Sequence, residues 1–181
     1  SQNRKWVFEN SEAKNVLNLF SYTSGFSVNA ALGDASSVTT VDASSNFLNW
    51  SKENLKLNNL NPEKYDFFAQ DSLLFLAGAH KRNRQWDLII CDPPSFGRTK
   101  TTVWKIEKDL PELIQKMWNC LSSDGRILFT CNYEKWTLKD LEFVFRKTLV
   151  NQKFKIEKLP EPSLDFKLEG SEQNLMKGFF I

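Results

Sequence analysis

Residues 86–96 read Trp86-Asp87-Leu88-Ile89-Ile90-Cys91-Asp92-Pro93-Pro94-Ser95-Phe96. The first six form a nearly continuous apolar run, the pattern of a strand buried on both faces. Two prolines then remove two backbone donors and hold the chain extended. Asp92 is thereby fixed at the rim of a central strand, with Phe96 nearby to stack on a planar group. A turn rarely carries Asp-Pro-Pro directly after such a strand.

Working outward, residues 15–20, 38–41, 66–70 and 126–131 read as further strands. Residues 153–158 alternate like an edge strand, and 175–181 close the chain as a seventh. Helical patterns lie at 25–32, 44–57, 72–84, 103–121 and 138–149. Gly33 stands where a helix C-cap belongs, Asp71 where an N-cap belongs, and Asp124-Gly125 reads as a turn. Strand alternating with helix predicts an α/β fold with a parallel sheet and right-handed crossovers. In such sheets ligands bind outside the carboxyl ends of the strands.

The chain has 181 residues, 41% hydrophobic and 25% charged, with 24 Lys and Arg against 22 Asp and Glu. This is an ordinary globular composition and excludes disorder, collagen and coiled coil. The length suits one domain over 1–181. No apolar run approaches the roughly 20 residues of a membrane span, and no signal peptide opens the chain. Three cysteines, Cys91, Cys120 and Cys131, are too few for a disulfide framework, so a reducing cytoplasm is expected. The lone histidine, His80, leaves no histidine-based metal site, and no metal is expected. A net charge of +2 does not by itself announce a nucleic-acid partner.

The strand ends carry the chemistry. After the first comes a small, hydroxyl-rich turn, Ser21-Tyr22-Thr23-Ser24-Gly25-Phe26-Ser27, in which Gly25 lets a ligand approach the backbone. A plain strand-to-helix turn would look the same, and no Gly-x-Gly-x-x-Gly or phosphate-loop motif is present. After the second comes Asp42, placed to accept both hydroxyls of a ribose or to cap a helix. After the third come Asp71 and Ser72, which suit an adenine amino group or a helix cap. After the fifth comes Cys131, one residue past the apolar run, which favours exposure beside Asp92. A free cysteine is otherwise a small buried hydrophobe, as Cys91 and Cys120 read. Arg98 and Lys100 follow Asp-Pro-Pro-Ser-Phe and are placed for phosphate contact.

The segments Asn18-Leu19-Phe20-Ser21-Tyr22-Thr23-Ser24-Gly25-Phe26-Ser27, Val41-Asp42, Asn54-Leu55-Lys56-Leu57-Asn58, Asp92-Pro93-Pro94-Ser95-Phe96 and Leu175-Met176-Lys177-Gly178-Phe179 together resemble the class I S-adenosylmethionine methyltransferases. The branch is that of the large-subunit ribosomal RNA enzymes, cytosine-C5 and guanine-N7 types. The resemblance implies a Rossmann-like sheet of seven mostly parallel strands, the last antiparallel, with helices on both faces. It implies S-adenosyl-L-methionine as cofactor and ribosomal RNA as partner. Phe20, Ser21, Tyr22, Thr23, Gly25, Phe26 and Ser27 would hold the methionine part. Asp42 with Ala43 would hold the ribose, and Asp71 with Ser72 the adenine. Asp92 would sit between sulfonium and base, with Pro93, Pro94 and Phe96 bordering the substrate. Gln2-Asn3-Arg4 is similar to the end of an Asp-Gln-Arg-x-Asn-Arg segment that lies beside the cofactor. Ser24 stands where the family usually has glycine. On this resemblance the chain reads as cut inside that first motif, with an upstream RNA-binding domain missing.

Chemistry separates the candidate bases. Cytosine C5 needs a thiolate added at C6 before it can accept a methyl group. Cys131 occupies the position of that nucleophile in the cytosine-C5 members, with Asp92 supporting charge at N3. Guanine N7 is already nucleophilic and needs only positioning. Asn132 leans toward the guanine type. The sequence reading favours cytosine C5, keeps guanine N7 as the alternative and ranks an exocyclic amine last. A non-catalytic cofactor-binding module is the competing class. The missing glycine fingerprint disfavours a dehydrogenase.

Overall fold

The structure, a computed structural model, describes residues 1–98, 102–159 and 177–181. Lys100 and the Leu175-Met176 start of the expected last strand lie outside the described residues.

In chain order the elements are α1 (Gln2–Glu9), β1 (Asn15–Leu19), α2 (Gly25–Leu32), β2 (Ser37–Asp42), α3 (Ser45–Leu57), β3 (Asp66–Ala69), α4 (Ser72–Lys81), β4 (Trp86–Cys91), β5 (Phe96–Arg98), β6 (Val103–Lys105), α5 (Ile106–Asn119), β7 (Leu121–Cys131), α6 (Leu138–Thr148), β8 (Glu157–Lys158) and β9 (Lys177–Phe180). Seven strands form one sheet in the order β3-β2-β1-β4-β7-β9-β8. The first five are parallel, and β9 joins antiparallel to both β7 and β8. The parallel strands are what the strand–helix alternation predicts, and the Rossmann-like sheet of seven with its antiparallel last strand is what the resemblance implies.

Two cores flank the sheet. On one face Leu17, Leu19, Ile89, Ile127 and Phe129 pack against Leu76 of α4, Leu113 of α5 and Phe145 of α6. On the other, Val16, Leu88, Ile90 and Leu128 pack against Val7 of α1, Val28 of α2 and Leu55 of α3. Alternate residues of each central strand serve opposite faces, which explains their unbroken apolar runs. A buried polar pin fixes α2. Both Asn18 Nδ2 and Thr40 Oγ1 donate to Ser27 Oγ at 2.9 Å.

Several boundaries differ from the sequence reading, each for a local reason. Residues 103–105 pair with 96–98 as an antiparallel hairpin, so α5 begins only at Ile106. Val103 and Trp104 favour strand over helix. Helix α4 stops at Lys81, short of the expected 84, because Asn83 turns left-handed at φ 53°. Strand β7 starts at Leu121. The expected Asp124-Gly125 turn lies in a bulge, where β4 advances from Trp86 to Leu88 while β7 advances from Leu121 to Arg126. Only Glu157–Lys158 of the expected edge strand pairs. The helix α1 is an addition to that reading. Among the described residues no helix is long and apolar enough to cross a membrane.

Gly33 caps α2 as expected, but its φ of −87° needs no glycine. The need is steric, because a Cβ there would lie 2.1 Å from the Phe8 carbonyl oxygen of α1. Gly33→Ala is therefore expected to cost about 1–3 kcal/mol by forcing α1 from α2. Urea denaturation of the purified chain measures it.

Candidate active site

The chain runs through β1, β2 and β3 in one direction, then returns across β1 to β4. Adjacent β1 and β4 are followed by loops that leave in different directions, which opens a crevice at their carboxyl ends. A cavity of about 1410 Å³ occupies this place.

One wall follows β1 and β2. Phe20, Tyr22 and Ser24 all hold positive φ, at 52°, 48° and 61°. None is glycine, so the loop is strained and needs outside support. Asp42 Oδ2 accepts from the Tyr22 N–H at 2.9 Å, and Asp42 Oδ1 accepts from the Ser44 N–H at 2.9 Å. From α3, the single Ser51 hydroxyl proton is shared between the Phe47 carbonyl of its own helix at 2.8 Å and the Tyr22 carbonyl at 3.2 Å, and Asn54 Nδ2 donates to the Thr23 carbonyl at 2.8 Å. Ser24 Oγ and Ser51 Oγ lie 2.5 Å apart. Serine thus fills a left-handed position with its hydroxyl engaged. The sequence reading gave Ser51 no role, and a lone helical serine offers no signal for one.

The next wall is Asp71, the N-cap of α4. Its Oδ1 accepts from the Leu73 and Leu74 N–H groups at 2.9 and 3.1 Å. Its Oδ2 accepts from Thr102 Oγ1 at 3.2 Å, which ties the hairpin across the cavity. Helix capping and ligand contact therefore compete for Asp71, and only Oδ2 retains room for another donor.

The far wall follows β4 and β7. Asp92, Pro93, Pro94 and Arg98 line the cavity with Asn132 and Glu134. Asp92 is exposed to the open cleft, yet protein crowds its carboxyl group. Desolvation raises its pKa above the ordinary carboxylate value, with a hydrogen bond from the Thr130 side chain acting the other way. Trp104 is 6% exposed and joins two walls. Its indole N–H donates to the Pro94 carbonyl at 2.6 Å, and its ring lies 5.3 Å from that of Phe20.

Phe20, Tyr22, Asp42, Ala43, Asp71, Ser72, Asp92, Pro93, Pro94 and Arg98 thus come together around one cavity. Others play different parts. Ser27 is consumed by the Asn18 and Thr40 pin, and Phe26 packs into the α1–α3 core. Phe96 is 58% exposed on the hairpin, outside the cavity lining. Arg4 lies against Gly25, its guanidinium 3.0 Å from where a Cβ would stand.

Cys131 corrects the expectation of an exposed thiol. It is 0% exposed and belongs to the α4–α6 core. Strand parity is the cause, since Cys131 points with Ile127 and Phe129 and is still paired, opposite Lys177 of β9. Burial is the largest influence on its thiol and raises the pKa. The Tyr133 backbone and Lys177 oppose that shift, while the nearby Asp92 charge adds to it. At neutral pH the group is a protonated thiol. Cys91 is likewise pushed far up by burial, and Cys120 to about 11.

One further feature bears on what fits here. Ser21 Oγ, in the β1–α2 loop, is buried without a hydrogen-bond partner among the described residues. A buried hydroxyl in that state marks a place for a polar ligand or water. On the cavity wall each Asp42 oxygen keeps a lone pair free. This donor and acceptor set fits a nucleoside carrying a polar tail.

Comparison with known proteins agrees. The profile of the S-adenosylmethionine-dependent methyltransferase family matches residues 1–161. The ribosomal RNA large subunit methyltransferase K/L of Shewanella sp. (strain ANA-3) is 39% identical over 164 residues, covering 89% of this chain and 22% of that protein. The ribosomal RNA large subunit methyltransferase K of Neisseria meningitidis serogroup B is 40% identical over 140 residues, 76% of this chain and 40% of that one. Among solved structures, the methyltransferase SMU.776 complexed with SAH superposes with a TM-score of 0.88 at 31% identity, over 99% of this chain and 48% of that one. The chain therefore spans less than half the length of each.

With all three cysteines buried, a disulfide-exchange reagent is expected to label almost none in the native chain and all three in denaturant. Rapid native labelling at Cys131, read by peptide mass spectrometry, would contradict the burial described.

Proposed function

The chain belongs to the S-adenosylmethionine-dependent methyltransferase family, and on that premise we propose that it methylates a base of large-subunit ribosomal RNA, at guanine N7, without a cysteine adduct. The observation that carries the choice is the contrast at the end of β7. Cys131 is sealed in the core, while its neighbour Asn132 lines the cavity with Asp92. The names of the Shewanella and Neisseria relatives support ribosomal RNA as the substrate. An rRNA-modifying role is consistent with the cytoplasmic location expected from the sequence.

Bound S-adenosylmethionine supplies a methyl group on a positively charged sulfur. Asp42 accepts the ribose hydroxyls, and its two backbone hydrogen bonds hold the carboxylate in place beforehand. Ala43 and Ser72 border the adenine, with Asp71 Oδ2 available to its amino group. The strained loop of Phe20, Ser21, Tyr22, Thr23 and Gly25 would hold the methionine part. Arg4 braces this loop from outside. Pro93 and Pro94 border the base, Phe96 stacks at the entrance, and Arg98 with Lys100 meets phosphate.

Guanine N7 carries a lone pair and no proton, so no general base is needed. Methylation leaves the base positively charged. The Asp92 carboxylate would stabilise that charge, in a crowded site where a fixed charge acts strongly. Its raised pKa has a cost in the free protein. A folded state that holds a proton more tightly than the unfolded chain gains stability in acid. It loses that gain as pH rises through the raised pKa.

Four outcomes test this. Labelled methyl transfer to protein-free large-subunit rRNA, followed by digestion, is expected to yield 7-methylguanosine. Cys131→Ala should keep transfer within about threefold, because the thiol takes no part. Label in 5-methylcytosine, lost in that variant, would reinstate the adduct chemistry. Asp92→Asn is expected to lower transfer about 100-fold. At neutral pH it should not lower the Tm of the free protein, since desolvation already disfavours the charged carboxylate.

A further inference from the structure

Beyond Cys131 the chain continues Asn132-Tyr133-Glu134. Asn132 and Glu134 both line the cavity, while Tyr133 is turned away from it. The Tyr133 ring packs edge-on against Trp136 at 5.2 Å, and its hydroxyl donates to Glu107. Its carbonyl accepts from Lys177 Nζ at 3.1 Å. Side chain and backbone of Tyr133 are thus anchored, which sets Asn132 and Glu134 on one wall beside Asp92. Asn132 Oδ1 accepts from Ser95 Oγ at 3.3 Å, so its amide N–H groups are left to face the cavity. Glu134 is exposed to the cavity and makes no hydrogen bond or ion pair among the described residues. The wall therefore offers a donor, then a pair of acceptors.

The bases differ in what they offer such a wall. Guanine presents O6, N1–H and N2–H2 side by side: one acceptor followed by two donors. Cytosine presents an amino donor and then the lone pairs of N3 and O2, which a carboxylate repels. Adenine has one amino donor beside the N1 lone pair. Uracil has a single N–H between two carbonyls. Only guanine satisfies both oxygens of a carboxylate and an adjacent amide donor. In guanine N7 lies on a different edge from N1 and N2, so a base held by N1 and N2 keeps its N7 lone pair free to accept a methyl group.

We propose that Glu134 is the specificity-determining residue for guanine, accepting from N1–H and N2–H2 while Asn132 donates to O6. This assignment rests on the reading of the chain as a base methyltransferase and deepens it. Charge-assisted hydrogen bonds of this kind discriminate strongly, because a base lacking a donor leaves a carboxylate oxygen unpaired. A base taken out of its stack and read on its Watson–Crick edge is the usual arrangement for enzymes acting on bases.

The test uses internal competition. Large-subunit rRNA is transcribed with inosine triphosphate partly replacing guanosine triphosphate, then labelled by the purified chain. Inosine lacks only the 2-amino group. The ratio of 7-methylguanosine to 7-methylinosine, corrected for incorporation, gives the preference directly. The unaltered chain is expected to prefer guanine about tenfold. Glu134→Gln should bring the ratio close to one, and Glu134→Asp should keep part of it. SAH affinity by calorimetry should be unchanged in both variants, since Glu134 is placed on the base side. A preference that survives Glu134→Gln would overturn the assignment alone. Label absent from guanine would overturn the underlying function, and this inference with it.

Discussion

The cleft depends on one neighbour relation. β1 lies parallel to β4, with Leu19 opposite Cys91. Both strands end at the same level, so Phe20 and Asp92 begin their loops side by side although they are far apart in sequence. The strand order reverses between these two, and nothing in the sheet bridges the loops above. Trp104 does so instead, touching Phe20 with its ring and Pro94 with its N–H. The hairpin that carries it is therefore a brace between the loop after β1 and the loop after β4.

The β1–α2 loop shows how that geometry is maintained. Three non-glycine residues with positive φ cost about 1 kcal/mol or more each. The offsetting bonds come from Asp42 on β2 and from Ser51 and Asn54 on α3. Asp42 therefore does two things. It shapes the loop through Tyr22, and it keeps acceptor capacity for a ligand. Loss of its carboxylate would act on loop and ligand together, so binding data on such a variant alone would not separate them.

Much of this was legible in the sequence. The run at 86–91 followed by Asp-Pro-Pro marked the central strand and its rim, because apolar continuity and proline act locally. Asp42 and Asp71 were legible as residues after strands, though not the bonds they make with Tyr22 and Thr102. Three features were hidden. The hairpin of 96–98 and 103–105 depends on pairing across residues 99–101. The steric role of Gly33 depends on Phe8, on another helix. The burial of Cys131 depends on β9, which extends pairing one residue past the apolar run. In each case the deciding partner is remote in sequence, and local pattern cannot supply it.

Charge within the cleft bears on how the substrate is held. Asp42, Asp71, Asp92 and Glu134 line it, against Arg98. Such a surface suits a positively charged cofactor and the N–H groups of a base. It repels a phosphate backbone, whose grip needs lysine and arginine in number. The net charge of +2 does not reverse this balance. The described residues around the cleft thus carry more acidic than basic side chains. Hydrogen-bonding groups at such close range are screened little by salt, whereas long-range attraction fades within a Debye length.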